Sequence, residues 1–102
     1  MSRLATFLVC ATLSLVVSAE EPPKFPTCID VSASAPYTGA GYDHIVSLSN
    51  GCQRAAACRV MTDVSPHSVD VSLAPGDARD VLTYRGSPAR TFRARVSCKL
   101  EG

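Results

Sequence analysis

The chain has 102 residues, 46% of them hydrophobic, and a formal net charge of +1 from ten basic and nine acidic side chains. A chain this short builds one small core, and so even a charge balance gives no global attraction to nucleic acid or to an anionic membrane. Five cysteines and no tryptophan in that length point to covalent staples supplementing a modest core.

Arg3 precedes an uncharged apolar run over residues 4–17, and Val17-Ser18-Ala19 sets small residues ahead of Glu20. These are the parts of a secretory signal peptide cleaved near Ala19, so residues 1–19 are expected to be removed. The run is shorter than the roughly 20 residues that span a bilayer, and no later segment approaches that length. Cys10 follows Phe7-Leu8-Val9 without the small residue that precedes a lipid-modified cysteine, and is expected to leave with the leader. The expected destination is secreted or periplasmic. Arginine outnumbers lysine 8 to 2, as in GC-rich genomes, which leans toward a bacterial exported protein.

Residues 20–26, EEPPKFP, carry three prolines and three charges and predict an extended, solvent-exposed lead-in. From there, residues 27–102 read as a single domain. A first strand is expected over residues 28–32, with Ile29 and Val31 facing away from Cys28, and a second over 42–49. The third, 58–64, alternates Cys58, Val60, Thr62 and Val64 with Arg59, Met61 and Asp63. A fourth covers 69–73 and a fifth 80–84. The last, 92–100, alternates Phe92, Ala94, Val96, Cys98 and Leu100 with Arg93, Arg95, Ser97 and Lys99. Period-two patterning puts one face in a core and the other in water. Turn signals such as APYTGAG, SNGCQ, APGDA and RGSPA separate the runs. Together they predict an all-β fold: a small antiparallel sandwich, immunoglobulin-like or similar, with about six to seven short strands and disulfide staples.

With Cys10 removed, Cys28, Cys52, Cys58 and Cys98 remain, an even set that reads as two disulfides. The favoured pairing is Cys52 with Cys58, closing a small loop, and Cys28 with Cys98, joining first strand to last. The chain-entropy model gives these about 2.4 and about 4.4 kcal/mol. The competing pairing joins Cys28 to Cys52 and Cys58 to Cys98. Zinc is disfavoured, because five residues separate Cys52 from Cys58 and the other cysteines are distant, where zinc knuckles use two to four. A redox site would need a Cys-x-x-Cys opening a helix, which is absent.

Other constellations are weaker still. His67, Ser68 and Asp70 are close in sequence, but neighbours in an extended chain point to opposite faces, so they do not converge as a triad does. His44, His67 and Met61 lack the free thiol of a copper centre of the His, Cys and Met type. The aspartates are dispersed singly, and Gly39-Ala40-Gly41 lacks the third glycine and helix of a phosphate cradle. No catalytic, cofactor or metal residue is therefore expected. Residues 50–52 (NGC) and 73–76 (LAPG) resemble the N-x-C and L-x-P-G pieces of several small secreted β-sandwich proteins. They are too short to carry over a function.

One stretch is charged in a suggestive way. Between Arg79 and Lys99 lie six basic residues and one acid, Asp80, with Arg93, Arg95 and Lys99 on one outward strand face. Such a face suits an anionic partner, a cell-surface polymer or nucleic acid, although aromatic residues for base stacking are scarce there, which favours a plain solvated face. It also suits a solvated edge that resists pairing. The expected function is non-catalytic surface recognition or an envelope role toward an unidentified protein or polymer. The alternative is an inhibitor or effector of a secreted enzyme that presents the stapled 52–58 loop, with Arg54 at its tip.

Overall fold

The computed structural model describes residues 24–102. The expected leader over residues 1–19, and the lead-in up to residue 23, lie outside the described residues. The alternating runs form β1 Ile29–Ser34, β2 Tyr42–Asn50, β3 Ala56–Thr62, β4 Val69–Leu73, β5 Ala78–Ser87 and β6 Ala94–Leu100. They assemble into two three-stranded sheets, β1-β2-β5 and β4-β3-β6, in which every paired neighbour is antiparallel. The fold is thus the expected small all-β sandwich.

Alternation decides which residues meet between the sheets. β3 turns Ala56, Cys58, Val60 and Thr62 inward, and β6 turns Val96 and Cys98 inward. From the other sheet come Ile29, Val46, Leu48 and Val81. Valine and cysteine dominate this core, and each buries less apolar area than a leucine or phenylalanine. Two disulfides supplement that small hydrophobic contribution.

Their pairing corrects the expectation: Cys28 is bonded to Cys52 and Cys58 to Cys98. Strand register is the reason. Cys58 and Cys98 stand directly opposite in the β3/β6 ladder, on its inward side, with Cα atoms 4.0 Å apart. Cys28 immediately precedes the Ile29–Asn50 pair and so meets the turn that follows β2, its Cα 5.1 Å from that of Cys52. Between Cys52 and Cys58 the chain has already entered extended β3, which carries the two cysteines apart.

Boundaries also differ from expectation: β1 runs on to Ser34, β2 to Asn50, β3 starts earlier at Ala56 and β6 later at Ala94, and three further differences have a visible cause. β3 ends at Thr62, whose Oγ1 accepts from the N–H groups of Val64 (3.2 Å) and Ser65 (3.0 Å) and so turns the chain. β5 spans ten residues instead of five, because register shifts on both sides of its His44 partner break the alternation that marks a strand in sequence. The end of the lead-in belongs to the domain. Lys24 forms a parallel bridge to Ser97, its carbonyl accepts from the Cys98 N–H at 3.0 Å, and Phe25 packs against the core.

At one end of the sandwich the chain crosses between sheets twice, through residues 51–55 and 74–77, and Asn50 ties both crossings together. Its side chain is 1% exposed. The carboxamide donates to the Arg54 and Leu73 carbonyls, both at 3.0 Å, and accepts from the Cys52 N–H at 2.8 Å. Its backbone N–H donates to the Asp77 carbonyl and its carbonyl accepts from Gly76. The two short pieces that resemble secreted sandwich proteins, 50–52 and 73–76, are therefore in contact with each other.

Non-reducing peptide mapping is expected to recover Cys28 with Cys52 and Cys58 with Cys98. In urea unfolding, replacing Cys58 and Cys98 together by alanine is expected to cost about 3.9 kcal/mol, and replacing Cys28 and Cys52 about 3.5 kcal/mol. Asn50→Ala removes three side-chain hydrogen bonds at roughly 1 kcal/mol each and is expected to lower stability by about 3 kcal/mol. A loss below about 1 kcal/mol in the same assay would show that the clasp is dispensable.

Candidate functional site

The outward faces of β4, β3 and β6 form one surface, and strand register sets its layout. Ala57 stands between Ser72 and Lys99, Arg59 between Asp70 and Ser97, and Met61 beside Arg95. Ser97 is the centre. Along β6, Arg95 and Lys99 lie two residues to either side of it. Across the strands, Arg59 is its partner on β3 and Lys24 bridges to it from the opposite edge. Four cationic residues thus occupy the register positions around one serine.

A shallow open groove runs over this surface. Its floor is made of small side chains, Ala57, Ser72 and Ser97, while Lys24, Lys99, Arg59 and Asp70 stand along it. The Arg59 Nε donates to Asp70 Oδ1 at 3.0 Å, with both side chains well exposed. That hydrogen bond, with the charge attraction it adds to, holds the Asp70 carboxyl below its usual range and raises the Arg59 guanidinium above its own. In high dielectric the pair contributes little to stability, but it sets where Arg59 points.

The expected partner residues are distributed unevenly. Arg95 lies on this face beside Met61, and Lys99 lines the groove. Arg93 precedes β6, exposed at the strand's start, its N–H donating to Asp63 Oδ1 at 2.8 Å. Arg54 lies beyond the other end, where its Nε donates to the Glu101 carbonyl at 3.0 Å and so secures the chain after β6. The closed 52–58 loop is not formed: Cys52 and Cys58 belong to different disulfides, and residues 56–58 are strand. Lys24, Arg59 and Ser97 were not expected. Arg59 and Ser97 were legible as outward residues of their strands. Lys24 was not, because its position depends on the path of the lead-in.

The remaining candidates occupy structural positions. Asp70 pairs with Arg59, and His67 sits in a turn where its N–H donates to Ser65 Oγ at 3.3 Å. Residues 38–41 form a turn in which the Thr38 N–H donates to the Gly41 carbonyl. A Cβ on Gly41, whose φ is 134°, would come within 2.6 Å of the Gly86 carbonyl carbon. His44 is fully buried, stacked on Phe92 at 4.3 Å, with Nε2 donating to the Ala89 carbonyl at 2.7 Å. It fastens the β5–β6 connection to β2. Among the described residues no group of three or more His, Cys, Asp or Glu could hold a metal ion, and no helix is long and apolar enough to cross a membrane. No family model matches the chain, and no curated protein or solved structure matches it either.

Since the folded state lowers the Asp70 pKa, the stability from its pairing is fully present above the ordinary carboxylate value and is lost as pH falls through the lowered one. Urea midpoints of the wild type and Asp70→Asn are therefore expected to differ slightly at neutral pH and to converge as pH falls below the ordinary carboxylate range. A gap that stays constant across that range would place the effect of the substitution outside ionisation.

Proposed function

We propose that the protein is a non-catalytic recognition module of an exported, oxidising compartment, and that it engages an anionic partner through the outer face of β4-β3-β6. Two disulfides in so short a chain suit such a compartment, and the charged start followed by an apolar run suits export. The observation that carries the reading is the cluster of Lys24, Arg59, Arg95 and Lys99 around Ser97, offset by the single carboxylate Asp70. In a chain of net charge +1 this is local concentration of charge, not overall basicity. Local concentration steers and orients a charged partner.

The test uses the oxidised chain on immobilised anionic, neutral and cationic polymers at low and raised salt. Retention is expected on the anionic polymer alone and is expected to weaken with salt, as screening requires. The double variant Arg95→Glu and Lys99→Glu is expected to lose retention while keeping both disulfides and its unfolding midpoint. Arg79→Glu with Arg85→Glu makes the same change in net charge on β5 and is expected to be retained. Equal loss in both variants would reduce the effect to net charge and end the assignment of this face.

A further inference from the structure

We infer that the anionic partner is an acidic polysaccharide, its sulfate or carboxylate group seated over Ser97 and its hydroxyls bound along the groove. The inference rests on the recognition reading above and names the ligand class for the same face. Its first support is spacing. At about 3.4 Å per residue, Arg95 and Lys99 lie about 7 Å to either side of Ser97, and at about 4.8 Å between strands Arg59 and Lys24 flank it more closely. A single oxyanion above Ser97 is within reach of the flexible Lys24, Arg95 and Lys99 side chains, while Arg59 is held toward Asp70 on the opposite strand, and the serine hydroxyl can donate to it.

The second support is what accompanies the cations. The floor carries two hydroxyls, Ser72 and Ser97, and one wall carries the Asp70 carboxylate. Paired with Arg59, this carboxylate cancels one of the groove's cations and so weakens its hold on a ligand that is anionic at every unit. It accepts hydrogen bonds from a ligand that presents hydroxyls between its charges. Cations, hydroxyls and a carboxylate within one groove therefore match a chain that alternates anionic groups with sugar hydroxyls, and they oppose polyphosphate.

The groove also disfavours the other polyanions. Among the described residues no aromatic side chain lines it, so nucleic acid bases would find no stacking platform there. Met61 stands beside Arg95 on this face as an exposed apolar side chain, but the groove wall offers no cluster of large apolar residues to enter a lipid surface. A floor of alanine and serines leaves room for a ring to approach the strands closely.

The experiment compares binding of the oxidised chain to heparin, polygalacturonate, dextran, polyphosphate, single-stranded DNA and anionic phospholipid vesicles, with the polyanions matched in total charge. Heparin or polygalacturonate is expected to bind roughly tenfold tighter than polyphosphate, DNA or vesicles, and dextran not at all. Asp70→Asn is expected to strengthen polyphosphate binding and narrow that difference. Ser72→Ala with Ser97→Ala is expected to weaken heparin binding severalfold while leaving polyphosphate nearly unchanged. Polyphosphate, DNA or vesicles binding as tightly as the acidic glycans, with loss in the Arg95→Glu and Lys99→Glu variant, would overturn the polysaccharide and leave the recognition face standing. Failure to bind any polyanion would overturn both.

Discussion

The Asn50 carboxamide is the contact on which the two-sheet arrangement turns. A β-sandwich must pass its chain from one sheet to the other, and each passage leaves backbone groups that no ladder satisfies. Here two passages, 51–55 and 74–77, occur at the same end, and Asn50 bonds to the backbone of both. Its side chain suits the task because it supplies two donors and an acceptor on a short stem. Aspartate would supply no donors and would bury a charge, and alanine would leave the Leu73 and Arg54 carbonyls without these partners. The Cys28–Cys52 bond lies beside this clasp and holds the start of β1 against the same turn. One end of the molecule is therefore closed by a covalent bond and a polar node set beside the buried Ile29, Leu48 and Leu73.

The second disulfide connects stability with the outer surface. Cys58 and Cys98 are opposite residues on the inner side of β3 and β6. Their neighbours along the strands, Arg59 and Ser97, are also opposite residues, on the outer side. Any slip in register that displaced the cations would have to break the bond behind them, so the same covalent link that supports a small core also fixes the positions of the candidate binding residues. A partner meeting such a surface loses less free energy to ordering it than it would with a mobile loop.

The sheet architecture was legible because half-buried antiparallel strands write their two faces into the sequence. Cys58, Val60 and Thr62 alternate with Arg59 and Met61, and the structure keeps that division. The same alternation already set Cys58 and Cys98 on inward faces of neighbouring runs. A local pairing with Cys52 outweighed it only because sequence distance stood in for spatial distance. β5 hid its true length, since an extra residue in a bulge reverses which parity faces inward. Asn50 read as a turn former, and nothing local reveals that its amide reaches Leu73, 23 residues away. Lys24 was unreadable for a similar reason: its role comes from the chain lying along the free edge of β6, a tertiary placement without periodic signature.

Near-neutral composition conceals a division of charge between the two outer faces. The face of β1-β2-β5 presents Asp30 and Asp80 among serines, with Ser47 donating to Asp80 at 2.7 Å. The face of β4-β3-β6 presents Arg59, Arg95 and Lys99, with Lys24 at its edge. The β1-β2-β5 sheet also carries Arg79 and Arg85 on β5, which offset its aspartates, whereas the β4-β3-β6 face keeps a positive excess, so an anionic surface is attracted to that face by preference. Screening over about 8 Å at physiological salt makes the nearer face dominate at contact. In the proposed recognition, this preference leaves the serine-rich sheet turned away from the partner. Charge segregation across a thin sandwich thus supplies orientation, which net charge alone cannot.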